Sequence, residues 1–332
     1  MSFRIPAETA PHERTLMAWP ARTELWQQHF EQAKADYAEI ANAIAVFEPV
    51  LMVVDPSQGA EARAACGEGV EVAEIPIDDS WMRDSGPIFV LDGAGGRAGV
   101  DFAFNSWGEK YRPYGDDAEM AARVLEHMGE ERIDARDLVL EGGSIAAEGE
   151  GTLIVTESCL LHPNRNPELS REQIARRLQE TLGVHTVVWL ARGLVEDVDT
   201  DGHVDNLCAW IGPGRVLVQT VAGEDNPNWA ATRENAERLQ AAGLEVVELP
   251  LLPYVDHDGP PTVAPYTNFA ICNGALIVPV TGQETDDEAL ALLGGLYPGR
   301  EVVPVPGVTL ALGGGGVHCV TQQVPATVTA GG

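Results

Sequence analysis

Five short segments of this 332-residue chain carry groups able to do chemistry, and they stand out from the apolar and charged sequence around them. In order they are Trp81–Pro87, Glu141–Ser144, Asp201–Asn206, Pro265–Phe269 and Gly313–Cys319. Between them they supply Asp84, Glu141, His203, Asp205, Asn268 and Cys319. A cysteine is the strongest side-chain nucleophile near neutral pH, and a histidine beside it can take and return a proton. Carboxylates next to that pair would repel an anionic substrate. They suit a guanidinium, a planar and permanently charged group whose N–H donors match carboxylate oxygens two at a time. Buried without a partner, such a cation forfeits several kcal/mol of hydration. Paired carboxylates offset that loss and hold the carbon in front of the sulfur, where attack becomes effectively unimolecular.

Each feature also has a plainer reading. Cys319 is one of five cysteines, with Cys66, Cys159, Cys208 and Cys272, and buried thiols usually act as small apolar residues. The run Gly313–Gly316 could be no more than a tight turn. It lacks the lysine and hydroxyl of a phosphate-binding loop, and its place just before His318-Cys319 favours a backbone shaped to present the thiol. His203 and Asp205 are possible metal ligands, but no third histidine stands at ligand spacing, so the expected site holds neither metal nor cofactor. Asp84 beside Arg83 could be a surface ion pair, and Glu141 could merely end a strand. The weight lies in their joint occurrence, one group per repeating unit.

Those units are set by five amphipathic segments, each leading into a short β-branched strand. In the first, Leu25, Trp26, Phe30, Ala33, Tyr37, Ile40, Ile44 and Phe47 recur at helical spacing, before a buried strand over 50–54. The pattern predicts further helices over 116–128, 170–182 (opened by a Ser170/Gln173 capping box), 228–242 and from 285 to the Tyr297-Pro298-Gly299 stop. Strands are expected at 139–140, 186–190, 245–249 and 301–305. Helix starts are 93, 54, 58 and 57 residues apart, a period near 57 after a longer first unit. Near-equal α/β modules without a long linker predict one closed, pseudo-symmetric domain over 1–332, whose equivalent loops would converge on an axis.

A formal charge of −30 argues against nucleic acid as a partner and permits a small cationic one. The N-terminal Glu8, His12, Glu13 and Arg14 do not read as a signal peptide, and no window is apolar enough for a membrane span. Five scattered cysteines without CxxC spacing fit reduced thiols, hence an expected cytoplasmic location.

Nearly the whole chain resembles the agmatine deiminase family, relatives of the bacterial-type peptidylarginine deiminases within the guanidino-modifying superfamily. The resemblance is carried by Pro11-His12-Glu13-Arg14-Thr15, Met17-Ala18-Trp19-Pro20, Asp78 through Pro87, Phe104 through Tyr111, Leu140 through Ile145, Asn164-Arg165-Asn166-Pro167, Asp199 through Asn206 and His318 through Gln323. It implies a five-bladed α/β propeller, the pentein fold, and a homo-oligomer without cofactor. Position by position, it implies Cys319 as nucleophile, His203 as general acid and base, and Asp84 and Asp205 as the carboxylates that grip the guanidinium. Glu141 would hydrogen-bond the histidine, Trp81 would wall the substrate, and Asn268 would lie near the site. The implied reaction releases ammonia and N-carbamoylputrescine from agmatine. The alternatives are deimination of arginine or peptidyl arginine, amidino transfer to an amine, and non-catalytic binding of a guanidine or polyamine. Three departures from the family pattern are local: Ile145-Ala146-Ala147 where Ile-His is common, Gly316-Val317 where Asn-Ile is common, and Ala10 near the N-terminus.

Overall fold

The helical segments end where the residues provide the missing hydrogen bonds. In the computed structural model, which describes residues 3–327, the principal helices are α1 (Phe30–Ala45), α2 (Gly59–Ala65), α3 (Met120–Met128), α4 (Arg171–Leu182), α5 (Trp229–Ala241) and α6 (Asp286–Leu296). The Ser170/Gln173 capping box forms as expected, and α4 stops at Gly183, whose φ of 66° is left-handed. Asp286, Asp287 and Glu288 occupy the first turn of α6, at the positive end of its dipole.

Five sheets follow one plan. An antiparallel hairpin is followed by a helix, and the helix returns the chain to a parallel strand. Ile88–Leu91, Arg97–Ala103 and Glu131–Val139 form the second sheet, and Ile145–Ala147, Thr152–Thr156 and Thr186–Leu190 the third. Cys208–Gly212, Arg215–Gln219 and Glu245–Leu249 form the fourth, and Ala270–Cys272, Ala275–Val280 and Glu301–Pro306 the fifth. The first sheet is completed across the chain ends. Thr321–Pro325 pairs antiparallel with His12–Ala18, which runs parallel to Val50–Val54. Its extra helix α2 and fourth strand, Val70–Glu74, contribute to the longer first unit.

Packing closes the ring. α1 buries Ala33, Tyr37 and Ile44 with Val50 and Met52 of the first sheet and Ala275 and Ile277 of the fifth. α3 lies between the first and second sheets, α4 between the second and third, α5 between the third and fourth, and α6 between the fourth and fifth. Each of these five helices is therefore a wedge between neighbours, as the expected five-bladed α/β propeller requires. Every fully buried aliphatic side chain in such a wedge, Leu178 for example, contributes about 1.5–3 kcal/mol.

The last three helices and the strands at 50–54, 186–190 and 245–249 match the sequence pattern. The first helical segment, by contrast, is broken at Gln27 (φ 47°) ahead of α1, and the second opens with a 3-10 turn over Asp117–Glu119 before α3. The strand expected at 139–140 instead spans Glu131–Val139. Its outward positions carry Glu131, Arg132, Asp134 and Asp137, so charge masks the apolar alternation of an edge strand.

Candidate active site

Every expected site residue sits in a turn at the end of a strand or helix. Asp84 lies in the one-turn helix Met82–Ser85, and Glu141 stands just before the 3-10 turn Gly142–Ser144. His203 precedes a second such turn, Val204–Asn206, and Asp205 is its middle residue. Cys319 follows the glycine run and leads directly into the strand that closes the ring. Closure of the first sheet by the C-terminus is thus what brings position 319 to positions 84 and 205.

The groups converge on Gly143. A methyl placed there would lie 2.5 Å from His203 Nδ1 and 2.9 Å from both Asp205 Oδ2 and Asp84 Oδ1. Asp205 Oδ2 is in turn 3.6 Å from Cys319 Sγ. Asp84 is fixed through both oxygens, by the Gly143 N–H at 2.9 Å and the Trp107 indole N–H at 2.9 Å. Asp205 Oδ1 is buried without a hydrogen-bond partner. His203 is fully buried and both of its ring nitrogens lack one; Nδ1 is 3.8 Å from Asp84 and Nε2 is 3.9 Å from Glu141. Buried polar atoms without partners are costly, and three of them are gathered on the two residues His203 and Asp205.

Glu141 departs from expectation in detail. At 3.9 Å it does not hydrogen-bond His203 directly, because Arg165 Nε holds its Oε1 at 2.6 Å. Arg165 also donates to Asp201 Oδ2 at 2.9 Å and to the Thr200 carbonyl at 3.2 Å, tying Glu141 to the loop that carries His203. Cys159 completes this corner. Donor atoms of Glu141, Cys159 and His203 all lie within 4.8 Å of one another, a metal-compatible grouping, although the guanidinium already on Glu141 opposes a second cation there.

Asn268 is closer to the chemistry than its motif suggested. Its Nδ2 lies 3.3 Å from Cys319 Sγ and donates to Asn206 at 3.0 Å, while its Oδ1 accepts from the His318 N–H at 3.1 Å. That oxygen stands 2.4 Å from where a Cβ at Gly316 would be. The glycine, one of the departures from the family pattern, is therefore what lets Asn268 reach the thiol. Trp81 is buried, stacked on Trp26 at 5.7 Å and packed against Gly315.

Electrostatics follow from this crowding. Burial and the charges of Asp205 and Asp84 push the Cys319 thiol well above its usual range, against the hydrogen bonds from Gly316 and Asn268. For His203, burial favours the neutral ring, but Asp84, Cys159 and Asp205 outweigh it and hold the imidazole protonated. Burial would raise Asp205 too, yet His318 and His203 bring it below the ordinary carboxylate range.

An open cleft of about 460 Å³ is lined by Asn206, Gly314 and Gly315, and its wall includes Glu196, Asp197 and Asp199. Among the described residues, no helix is long and apolar enough to cross a membrane.

Residues 4–325 match the Porphyromonas-type peptidyl-arginine deiminase family. The chain belongs to this family. Among its similar proteins, an agmatine deiminase of Pseudomonas aeruginosa (strain LESB58) is 42% identical over 353 residues, covering 98% of this chain and 96% of that one. The structure of agmatine deiminase from Enterococcus faecalis superposes with a TM-score of 0.94 at 33% identity, covering 98% and 97% of the two chains. A DDAH from Pseudomonas aeruginosa, at 16% identity, a TM-score of 0.51 and 94% and 99% coverage, shares the fold alone.

For this deiminase-family chain, the motifs did not single out Trp107, Arg165, Asp199 or Glu8, although the first three lie inside the quoted runs. Each is hydrogen-bonded to a partner distant in sequence, which only the fold brings to it.

Proposed function

We propose that this chain is an agmatine deiminase, a single catalytic unit that hydrolyses agmatine to N-carbamoylputrescine and ammonia through Cys319. The observation that carries the reading is the convergence of His203, Asp84 and Asp205 on Gly143, with Asp205 touching the Cys319 sulfur. Asp84 and Asp205 grip the guanidinium and Trp81 backs the pocket. Cation binding between the two carboxylates relieves their repulsion of a thiolate, so the Cys319 proton passes to solvent as substrate arrives, His203 being already protonated. The sulfur attacks the guanidinium carbon. The C–N bond to one terminal nitrogen breaks, and His203 protonates the departing ammonia. Water, deprotonated by His203, then adds to the amidino-thio carbon. Expulsion of the thiolate and loss of the hydroxyl proton leave the neutral ureido product, and the thiolate takes up a proton from solvent to restore the resting thiol. Glu141, anchored by Arg165, keeps negative charge beside His203 while it cycles, and Asn268 orients the sulfur.

Agmatine is favoured over free arginine by the cleft wall. Glu196, Asp197 and Asp199 would attract a distal ammonium and repel an α-carboxylate. Asp199 is held by the Tyr111 hydroxyl at 2.6 Å through Oδ1, which leaves Oδ2 for the amine. Replacing Asp199 by Asn should raise KM for agmatine about 10- to 100-fold with a smaller effect on kcat, since a charge-assisted hydrogen bond is worth ~1.5–3 kcal/mol. Steady-state ammonia release from agmatine, arginine and a peptidyl arginine, measured side by side, tests the whole reading. Turnover of either arginine substrate with none of agmatine would overturn it. A cytoplasmic homo-oligomer completes the proposal, and light scattering of the purified protein reads its size.

A further inference from the structure

Asp205 has two oxygens with different fates, and a residue far from the catalytic motifs decides which is which. Oδ1 is buried and unpartnered, whereas Oδ2 lies 2.9 Å from His318 Nδ1. The other nitrogen of the same ring, Nε2, lies 3.0 and 3.1 Å from the two oxygens of Glu8. A neutral imidazole owns one N–H and would turn a lone pair toward one of these carboxylates. Only the doubly protonated ring satisfies both.

Glu8 reaches the axis because the segment ahead of the first sheet is strapped across the ring. Arg4 bridges to Leu91 of the second sheet, the Ile5 N–H donates to Leu182 at the end of α4 at 2.8 Å, and Arg300, just before the last strand of the fifth sheet, donates to the Thr9 carbonyl at 2.8 Å. The charged groups around the His318 ring are Glu8, Asp205 and Arg83, the last 3.7 Å from Glu8 and bonded through Nε to the His318 carbonyl at 3.3 Å. His203 and Cys319 lie beyond Asp205, and His12 bonds the Glu8 carbonyl at 2.9 Å.

We propose that Glu8 and His318 form a positioning pair for Asp205, in which an imidazolium bridging two carboxylates locks Oδ2 and presents Oδ1 to the substrate guanidinium. The inference rests on the deiminase reading above for what Asp205 grips. The electrostatics agree. Burial and Arg83 disfavour charge on His318, but Glu8 and Asp205 outweigh them and raise it. Burial would raise Glu8, yet His318 and Arg83 bring its carboxyl down to about 2.

The Glu8→Gln variant tests the pair. It preserves shape and a hydrogen-bond acceptor but removes the charge that keeps His318 protonated. In that variant the ring should lose its second proton within the assay range. KM for agmatine should stay within about threefold of wild type near pH 6 and rise about tenfold near pH 9, with kcat changing less. Wild-type KM should show no such step, and Glu8→Asp should restore the flat profile. A KM equal to wild type at both pH values, or raised equally at both, would overturn the proposal. If Glu8→Gln does not fold, histidine ring NMR of the wild-type protein decides, with the His318 resonance assigned from its loss in His318→Gln. An imidazolium at about pH 8 is expected, and a neutral ring at about pH 7 overturns the pair. Wild-type ammonia release from agmatine, run alongside, reports separately on the deiminase reading.

Discussion

Replacing Cys319 by Ser should abolish ammonia release, with a loss of at least about 10³-fold in kcat, while agmatine still binds. The argument is one of proton affinity. A serine hydroxyl in place of the thiol sits under the same burial and the same two carboxylates that already raise the thiol, and it starts from a far higher value. The guanidinium can relieve the carboxylate charge but cannot bring an alcohol within reach of ionisation at neutral pH. Binding survives because Asp84, Asp205 and the acidic cleft wall are untouched. Isothermal titration of the variant with agmatine reads the binding, and acid-quenched mass spectrometry reads the chemistry. The wild type should carry an amidino adduct during turnover and the variant none. Cys66→Ser, at a half-buried surface thiol, should keep full activity. The resting thiol makes a further mark. Inactivation of the substrate-free enzyme by iodoacetamide should be slow at neutral pH and climb through and beyond the ordinary thiol range, since only the thiolate is alkylated. Rapid alkylation at neutral pH would contradict the protonated resting state.

What made Cys319 legible was its company, not its own surroundings. The five helices and the strands at 50–54, 186–190 and 245–249 obey simple periodicities, and the near-constant spacing between helices by itself implies a ring. Once the chain is a ring, turns at 84, 141, 203–206, 268 and 313–319 have to face its axis. The hairpin strands were harder to see, because pieces such as Ile145–Ala147 and Ala270–Cys272 are too short to show alternation. Partnerships were invisible for a different reason. Glu8 and His318 are separated by 310 positions and meet only because the N-terminal strap and the closing strand reach the same axis. Arg165 was part of a recognised run, but nothing in Asn164-Arg165-Asn166 says that its Nε takes the Glu141 oxygen expected to bond His203. Gly316 read as a departure from a pattern. In the structure it is the space that Asn268 uses to reach the thiol.

Gly143 allows the site's central assumption to be tested by adding one methyl group. Its backbone is not left-handed, so alanine can adopt its conformation, and its N–H bond to Asp84 at 2.9 Å need not be lost. The added Cβ, however, would stand 2.5 Å from His203 Nδ1 and 2.9 Å from Asp205 Oδ2 and Asp84 Oδ1, all ends of side chains. Those ends can swing aside, so the fold survives, but they swing away from the arrangement that grips the cation and moves its proton. Displacements of this size cost about 10²-fold or more in rate. Gly143→Ala should therefore lose at least that much in kcat/KM while its thermal midpoint stays within a few degrees of wild type. The neighbouring glycine supplies the contrast. A Cβ at Gly142 would lie 2.2 Å from the carbonyl oxygen of Arg83, which is backbone and cannot rotate away. Gly142→Ala should instead lower stability, by about 1–3 kcal/mol on a denaturant curve. If Gly143→Ala kept wild-type turnover, the three groups would not be acting on a substrate held between them. The same methyl that spares the fold would then have shown that the catalytic cation sits elsewhere.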